Sequence, residues 1–336
     1  MTDITEDICA FTGRALWYSS AQNCCVKDVS VQSPGGDEAL VRTLYSSISR
    51  GTEGLVFRGD VPESEWRRMR APFQVGSFPF PVKYGYASVG EVLEGAPDMV
   101  GRIVFSLYPH QSFYTVPSQS CVPVPKSVTA ERAALSANME TALNALWDGK
   151  PSPGDQISVV GGGVVGLLTA YLCQKLPGST VTLIDTNPVR AGIASDFGLS
   201  FSLPEDAPGD QDLVFHTSAS SAGLATALAS AGDGASIIEM SWYGAGDVQV
   251  PLGADFHSRR LKLISSQVGS IPAERQARWN YRRRLETAML LLQDPVLDKL
   301  ITHRLPLEKA PELLPEILNK RSDVLAALIV YDQHEH

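Results

Sequence analysis

Hydrophobic and polar positions alternate in short runs through the first third of the chain. Arg14 to Tyr18, Val26 to Val31, Ala39 to Tyr45, Val89 to Leu93 and Arg102 to Leu107 are such runs, separated by clusters such as Ser33-Pro34-Gly35-Gly36. A two-residue period turns one face of each run inward, so the pattern predicts antiparallel strands in a barrel-like unit. Between Glu63 and Pro81 the alternation stops. Pro72, Pro79, Pro81 and the basic run Arg67-Arg68-Met69-Arg70 predict a long loop with one helical turn.

The texture changes near Pro123-Val124-Pro125, where a helical stretch from Glu131 to Trp147 gives way to Pro-Gly punctuation at 151–154. Apolar runs then alternate with helical periodicity. Strands are predicted at Gln156 to Val160, Thr180 to Ile184, Leu199 to Leu203, Asp212 to His216, Ala235 to Met240 and Leu261 to Ser265, with helices at Val165 to Leu176, Val189 to Phe197 and Ala222 to Ala231. Alternation of this kind requires parallel strands joined by right-handed crossovers, a doubly wound α/β sheet. After Gly269 the rhythm ends; two helices, Trp279 to Leu292 and Leu307 to Asn319, precede a last strand, Ala326 to Tyr331.

The first strand of the alternating region runs directly into Gly161-Gly162-Gly163-Val164-Val165-Gly166, which opens the next helix. Gly161 suits a tight turn, Gly163 lets backbone approach a pyrophosphate, and Gly166 lets helix and strand pack closely. Val164 and Val165 stand where the helix opens, and the free amide groups and dipole of that end favour an anion. Asp185 ends the second strand, 19 residues beyond Gly166, followed by Thr186. A carboxylate there accepts from ribose hydroxyls and repels a 2′-phosphate, so NAD is expected as the cofactor. Arg190, one helical turn on, keeps NADP as the alternate.

Charge excludes one large class of partner. Lys plus Arg number 28 against 37 Asp plus Glu, a net −9 over 336 residues, the wrong sign for tracking nucleic acid phosphates. The length fits about two domains. Five scattered cysteines, Cys9, Cys24, Cys25, Cys121 and Cys173, show no C-x-x-C spacing and predict reduced thiols, mostly buried. Met1 to Ala10 lacks the order of a signal peptide, and no 18 apolar residues run together; a soluble cytoplasmic protein with no membrane partner is expected. Residues 259–284 carry a local net charge of +7 that can steer an anionic substrate or the cofactor.

With a strand-rich first third, a central dinucleotide fold and a mixed C-terminus, the chain resembles the medium-chain dehydrogenase/reductase superfamily from end to end. Ser49-Arg50-Gly51-Thr52-Glu53 is similar to a turn of its zinc-lacking, bacteriochlorophyllide dehydrogenase-like branch. The resemblance implies a GroES-like β-barrel catalytic domain from 1–126 and 270–336, a Rossmann domain from 127–269, a cleft between them, and a homodimer. Zinc-dependent members place Cys, then His-Glu, then Cys or Asp at three landmarks. Here these carry Ser49, Tyr86-Ala87 and Ala137-Asn138, and the four-cysteine lobe has no room between Ser106 and Tyr114. None of these side chains suits zinc, so none is expected.

Without a metal, protein groups must exchange protons with the reacting oxygen. The resemblance puts His110 on the substrate pocket as acid/base, Tyr86 on the old metal cavity, and Thr52 in a proton relay. It puts Arg50 on the pyrophosphate, and Thr141 against the nicotinamide with Glu140 beside it as a base or positioning group. Ser241 is expected to reach the nicotinamide end of the cofactor with Trp242 shaping the pocket, and His216 either touches cofactor or packs at a strand end. Glu239 is read as structural, and His257 as solvated surface. The expected function is zinc-independent hydride transfer between NAD(H) and a small secondary alcohol or ketone. The rivals are an NADPH-dependent enoyl or quinone reductase and a non-catalytic dinucleotide-binding sensor or scaffold.

Overall fold

In the computed structural model, which describes residues 9–253, 255–319 and 322–332, all six apolar runs between residues 156 and 265 are strands. The inner four are rich in Val, Ile and Leu because both faces of a parallel sheet are covered there. Gln156–Val160, Thr180–Ile184, Ser200–Ser202, Gln211–His216, Ala231–Glu239 and Lys262–Ser265 pair in parallel. Their spatial order is third, second, first, fourth, fifth, sixth. The order therefore reverses between the first and fourth strands, where a doubly wound sheet opens a crevice at its carboxyl ends. Helices Val164–Gln174, Arg190–Asp196 and Ser221–Ser230 lie between strands in the chain. On one face Val160, Ile184, Val214, Leu224, Ala227 and Ile237 form a single buried cluster. Each large aliphatic side chain so buried contributes about 1.5–3 kcal/mol.

The chain divides into two compact units, 1–137 with 301–336, and 138–300. These divisions fall later than the sequence-based 126/127 and 269/270. Residues 270–300 belong with the parallel sheet because Arg284 forms a buried ion pair with Glu140 and Trp279 packs on Trp147, ring centroids 4.8 Å apart.

The first unit holds two sheets. One joins Asn23–Gln32, Cys9–Ser20, Val82–Lys83 and Val75–Gly76. The other follows Ile301–Pro306, Ala326–Val330, Glu38–Ile48, Ser88–Glu94, Ile103–Ser106 and Val122–Pro123, with Phe113–Pro117 also on Glu38–Ile48. Phe113–Pro117 was not predicted, nor was the helix Arg50–Arg58. Gly51 and Gly54 each cost about 1 kcal/mol of helix propensity, which makes that segment read as a turn. Gly59 closes the helix in the left-handed conformation, φ 76°.

Cys24, Cys25, Cys121 and Cys173 are free thiols; Cys121 and Cys173 are buried, and the first two are half-buried. Residues 1–8, and with them most of the segment read as lacking a signal sequence, lie outside the described residues. Among the described residues no helix is long and apolar enough to cross a membrane.

Candidate functional site

The glycine turn follows the strand Gln156–Val160 as its spacing requires. Gly161 has φ 113°, open to glycine alone at little cost, and its amide donates to Ile184 O at 2.8 Å. A Cβ on Gly166 would stand 1.9 Å from Gly161 O, so helix and turn touch at van der Waals distance only because this residue has no side chain. A Cβ on Gly163 would meet nothing within 4 Å. Gly163 is the N-cap of the helix Val164–Gln174 with no side-chain cap, so open space lies before its amide end.

Asp185 stands beside this turn. Its Oδ2 accepts from the Gly162 amide at 2.5 Å and its Oδ1 from the Asn187 amide at 2.7 Å. Thr186 is exposed, Val164 and Val165 are half-buried, and Arg190 is buried at 8% exposure. The glycine turn, Asp185, Thr186 and Arg190, all predicted for the pyrophosphate and adenosine ribose, are thus gathered at the carboxyl end of the sheet, without Arg50. Open backbone at a helix start with a carboxylate alongside fits a dinucleotide.

His216 ends the fourth strand with its ring fully buried. Nδ1 lies 2.7 Å from Glu239 Oε2 and Nε2 lies 2.7 Å from Ser218 Oγ. The Tyr243 hydroxyl donates to the same Glu239 oxygen at 2.9 Å, and the Ser241 amide donates to Oε1 at 2.8 Å. Ser241 Oγ accepts from the Ala219 amide at 3.1 Å. Burial pushes the Glu239 carboxyl up, but the His216 and Ser241 hydrogen bonds outweigh it and hold the group below its ordinary range. Tyr243 is raised by burial and by Glu239. Thr217, between His216 and Ser218, donates to Gly161 O at 2.8 Å and ties this cluster to the glycine turn.

In the first unit, three hydroxyls converge where the metal landmarks would lie. The Tyr86 hydroxyl donates to Ser49 Oγ at 2.5 Å and is also hydrogen-bonded to Thr52. Burial raises the Tyr86 pKa, against these two bonds. All three residues are half-buried. Behind them Glu53 is wholly buried; its Oε1 accepts from the Ser49 amide at 2.7 Å and its Oε2 from the Tyr18 hydroxyl at 2.6 Å.

His110 belongs to that buried layer rather than to an open surface. It is 1% exposed, with Nε2 2.8 Å from Glu53 Oε2 and Nδ1 2.7 Å from Ser46 Oγ, which is itself 2.8 Å from the Tyr331 hydroxyl. Both ring nitrogens are engaged, so its place differs from the pocket-lining one expected. Arg50 differs likewise. Its guanidinium donates to the carbonyls of Ile317 and Asn319 at 2.7 Å, to Ser322 at 3.3 Å and to Val324, closing off the end of helix Ala310–Ile317. A cation at a helix C-terminus satisfies the orphan carbonyls there, and this role occupies the fork that was expected on a pyrophosphate.

On helix Ser136–Gly149, Thr141 is half-buried and Glu140 is buried. Glu140 bonds Arg284 at 3.0 Å, and Arg284 also donates to Asn144 Oδ1 at 2.6 Å and Val268 O at 2.5 Å. Burial raises Glu140 and Arg284 lowers it, with burial the larger. Glu140 is thereby an ion-pair partner within its own unit. Arg275 and Arg283 lie over the Trp147 and Trp279 rings, Arg282 pairs with Glu286 and Arg259 with Asp255. Five cations of the basic segment are therefore engaged locally, which weakens its reading as an anion funnel. His257 is exposed, as expected.

Sequence reasoning missed Ser46, Tyr331 and Ser218 and passed over Glu53 and Glu239. The one signal was the His216, Ser218 spacing, which puts both side chains on one side at a strand's end. Among the described residues no group of three or more His, Cys, Asp or Glu is placed to hold a metal ion.

Residues 159–216 match the model of the NAD(P)-binding Rossmann-like domain family. The chain is 24% identical to sorbitol dehydrogenase of Rattus norvegicus over 202 residues, 60% of this chain, and spans only 57% of that relative's length. It is 29% identical to the 2-desacetyl-2-hydroxyethyl bacteriochlorophyllide A dehydrogenase of Rhodobacter capsulatus over 297 residues, covering 83% of this chain and 86% of the relative. Its fold is similar to that of a putative zinc-binding dehydrogenase from Sinorhizobium meliloti bound to NADP. The TM-score is 0.75 at 18% identity, over 95% of this chain and 99% of the other.

Proposed function

We propose that the chain is a member of the medium-chain dehydrogenase/reductase superfamily and an NAD(H)-linked oxidoreductase. It interconverts a small secondary alcohol and a ketone without zinc. The observation that carries this reading is the glycine turn with open space at Gly163 and Asp185 at its side. The nicotinamide, when bound, supplies the hydride chemistry. This chain's residues do the rest.

The glycine turn and the start of helix Val164–Gln174 bind the pyrophosphate, and Asp185 accepts from the adenosine ribose. Val164, Val165 and Thr186 border that site; Arg190 stands behind it. Tyr86, with its hydroxyl held by Ser49 and Thr52, handles the reacting oxygen. It turns its single hydroxyl proton from Ser49 to a carbonyl oxygen as hydride arrives, and in the other direction the alcohol proton is relayed through the Tyr86, Ser49 and Thr52 hydroxyls to water. His110 and Glu53 act behind this cluster as a positioning pair, since the Ser49 amide is anchored on Glu53. In a metal-dependent relative the ion would acidify the alcohol; the donor chemistry of Ser49, Tyr86 and Asn138 suits hydrogen bonding instead.

The parallel sheet ends in the strand Lys262–Ser265, hydrogen-bonded on one side to Ala231–Glu239, with Leu263 38% exposed. A second copy pairing along this edge would cover it, which supports a homodimer.

The deciding experiment is cofactor choice. Asp185→Ala weakens NAD by about 10-fold or more, the worth of a charge-assisted hydrogen bond, and changes NADP less. Equal losses for both cofactors would remove Asp185 from the ribose and the NAD preference with it.

A further inference from the structure

We propose that Ser218, His216 and Glu239 form a serine nucleophile with its base and orienting carboxylate. They would give the parallel-sheet unit an acyl-transfer activity toward small activated carboxylic esters, beyond its hydride chemistry. The geometry is a linear chain, with Ser218 Oγ 2.7 Å from His216 Nε2 and His216 Nδ1 2.7 Å from Glu239 Oε2. A nucleophile within hydrogen-bond reach of a base that a third group orients is the arrangement serine chemistry needs.

Polarity follows from the partners. Glu239 receives the Tyr243 hydroxyl and the Ser241 amide, which fix its orientation, and it is held ionised. An ionised carboxylate only accepts, so His216 carries its proton on Nδ1, and Nε2 presents a lone pair. Ser218 must then donate its hydroxyl proton to Nε2, which leaves electron density on an oxygen at an exposed position. The ring behind it is fully buried and the Glu239 side chain is 14% exposed, so the charge that develops on the imidazole is weakly screened and sits beside its counter-charge.

The surroundings leave room for this serine at some cost. Gly223 lies in the first turn of helix Ser221–Ser230, yet a Cβ there would come 2.0 Å from Ser218 Oγ and 2.9 Å from His216 Nε2. A glycine in that position costs a helix about 0.5–1 kcal/mol relative to alanine, and it keeps the space around the hydroxyl clear. Ser220 caps the same helix through the Gly223 amide at 3.1 Å and lies 3.0 Å from Ser218 Oγ. The Gly223 and Leu224 amides are taken by Ser220, so the donors for a developing oxyanion would be the Ser221 and Ala222 amides at the helix start. Solvent alone would satisfy an exposed serine hydroxyl, so nothing in Ser218 itself requires its bond to a buried ring.

The step balances without oxidant or reductant. Ser218 Oγ bonds to the ester carbonyl carbon while its proton passes to His216 Nε2. The imidazolium returns that proton to the departing alkoxide as the ester C–O bond breaks. Water then repeats the sequence on the acyl-serine and releases the carboxylic acid.

The test uses the full-length protein with no cofactor added, so its outcome is separate from that of the dehydrogenase reading. The protein is treated with a fluorophosphonate probe, the adduct is mapped by mass spectrometry, and hydrolysis of p-nitrophenyl acetate is followed in parallel. One phosphonyl group is expected on Ser218. Ser218→Ala, at an exposed position, removes it and lowers hydrolysis about 10-fold or more, and Glu239→Gln at unchanged melting temperature slows both reactions by a similar factor. No adduct at Ser218, or hydrolysis by Ser218→Ala at the wild-type rate, overturns the proposal.

Discussion

Removing one hydroxyl from the Ser49, Thr52, Tyr86 cluster isolates its chemistry. Tyr86→Phe keeps the ring and its edge-on contact with Tyr84, centroids 6.0 Å apart, while deleting the donor. Turnover is expected to fall by about 10²-fold with cofactor affinity unchanged, as measured by steady-state kinetics beside NADH binding. An unchanged kcat would take Tyr86 out of the chemistry. The residue types of this cluster were legible in the sequence because the family turn and the Gly85-Tyr86 landmark place them. The fate of His110 and Arg50 was not. Their partners, Glu53, Ser46 and Tyr331 for one and the carbonyls of Ile317 to Val324 for the other, come from distant parts of the chain, and no local pattern records such pairings.

Elements succeed or fail on glycine and charge. Gly166→Ala drives a methyl group to 1.9 Å from Gly161 O, so the turn and helix Val164–Gln174 must separate. Loss of measurable NADH binding by fluorescence is the expected result, with a lowered melting temperature; wild-type affinity would mean that the turn does not hold the cofactor. Helix Tyr281–Leu290 docks through Arg284 on Glu140. Arg284→Met leaves Glu140 buried and unpaired, at a cost of about 3–5 kcal/mol in denaturant unfolding, and the double variant with Glu140→Met recovers most of it. No recovery would show that the pair is not what joins them. The parallel strands could be read closely from the sequence because an unbroken apolar run bounded by turns has one dominant reading. Helix Arg50–Arg58 and strand Phe113–Pro117 could not: glycines disguise the first, and the second is short and held by pairing to Glu38–Ile48.

For the molecule as a whole, the burial of Lys83 links stability to pH. Burial lowers its pKa from 10.5 to about 8, beside Gln111 and the Tyr108 ring. Between these values the unfolded chain holds the proton more firmly than the folded one, so stability from this group rises as pH goes from about 8 toward 10.5. Lys83→Met should flatten that rise in denaturant titrations, and an equally steep rise in the variant would assign it elsewhere. Sedimentation tests the assembly: Leu263→Arg on the exposed edge strand should convert a dimer to monomers, and a dimer that survives the change would use another face. The division into a parallel-sheet unit and a mixed-sheet unit was legible from the change of period near residue 125. The placement of 270–300 was not, because ring stacking and a buried ion pair decide it.

Hydride transfer itself is best followed by isotope. The protein is incubated with NAD and a panel of secondary alcohols carrying deuterium on the carbinol carbon, with a chelator present throughout. The expected result is NADH that carries the deuterium on its nicotinamide ring, formed at the same rate with and without chelator. No labelled NADH from any alcohol, alongside NADPH-dependent reduction of enones or quinones, would contradict the account.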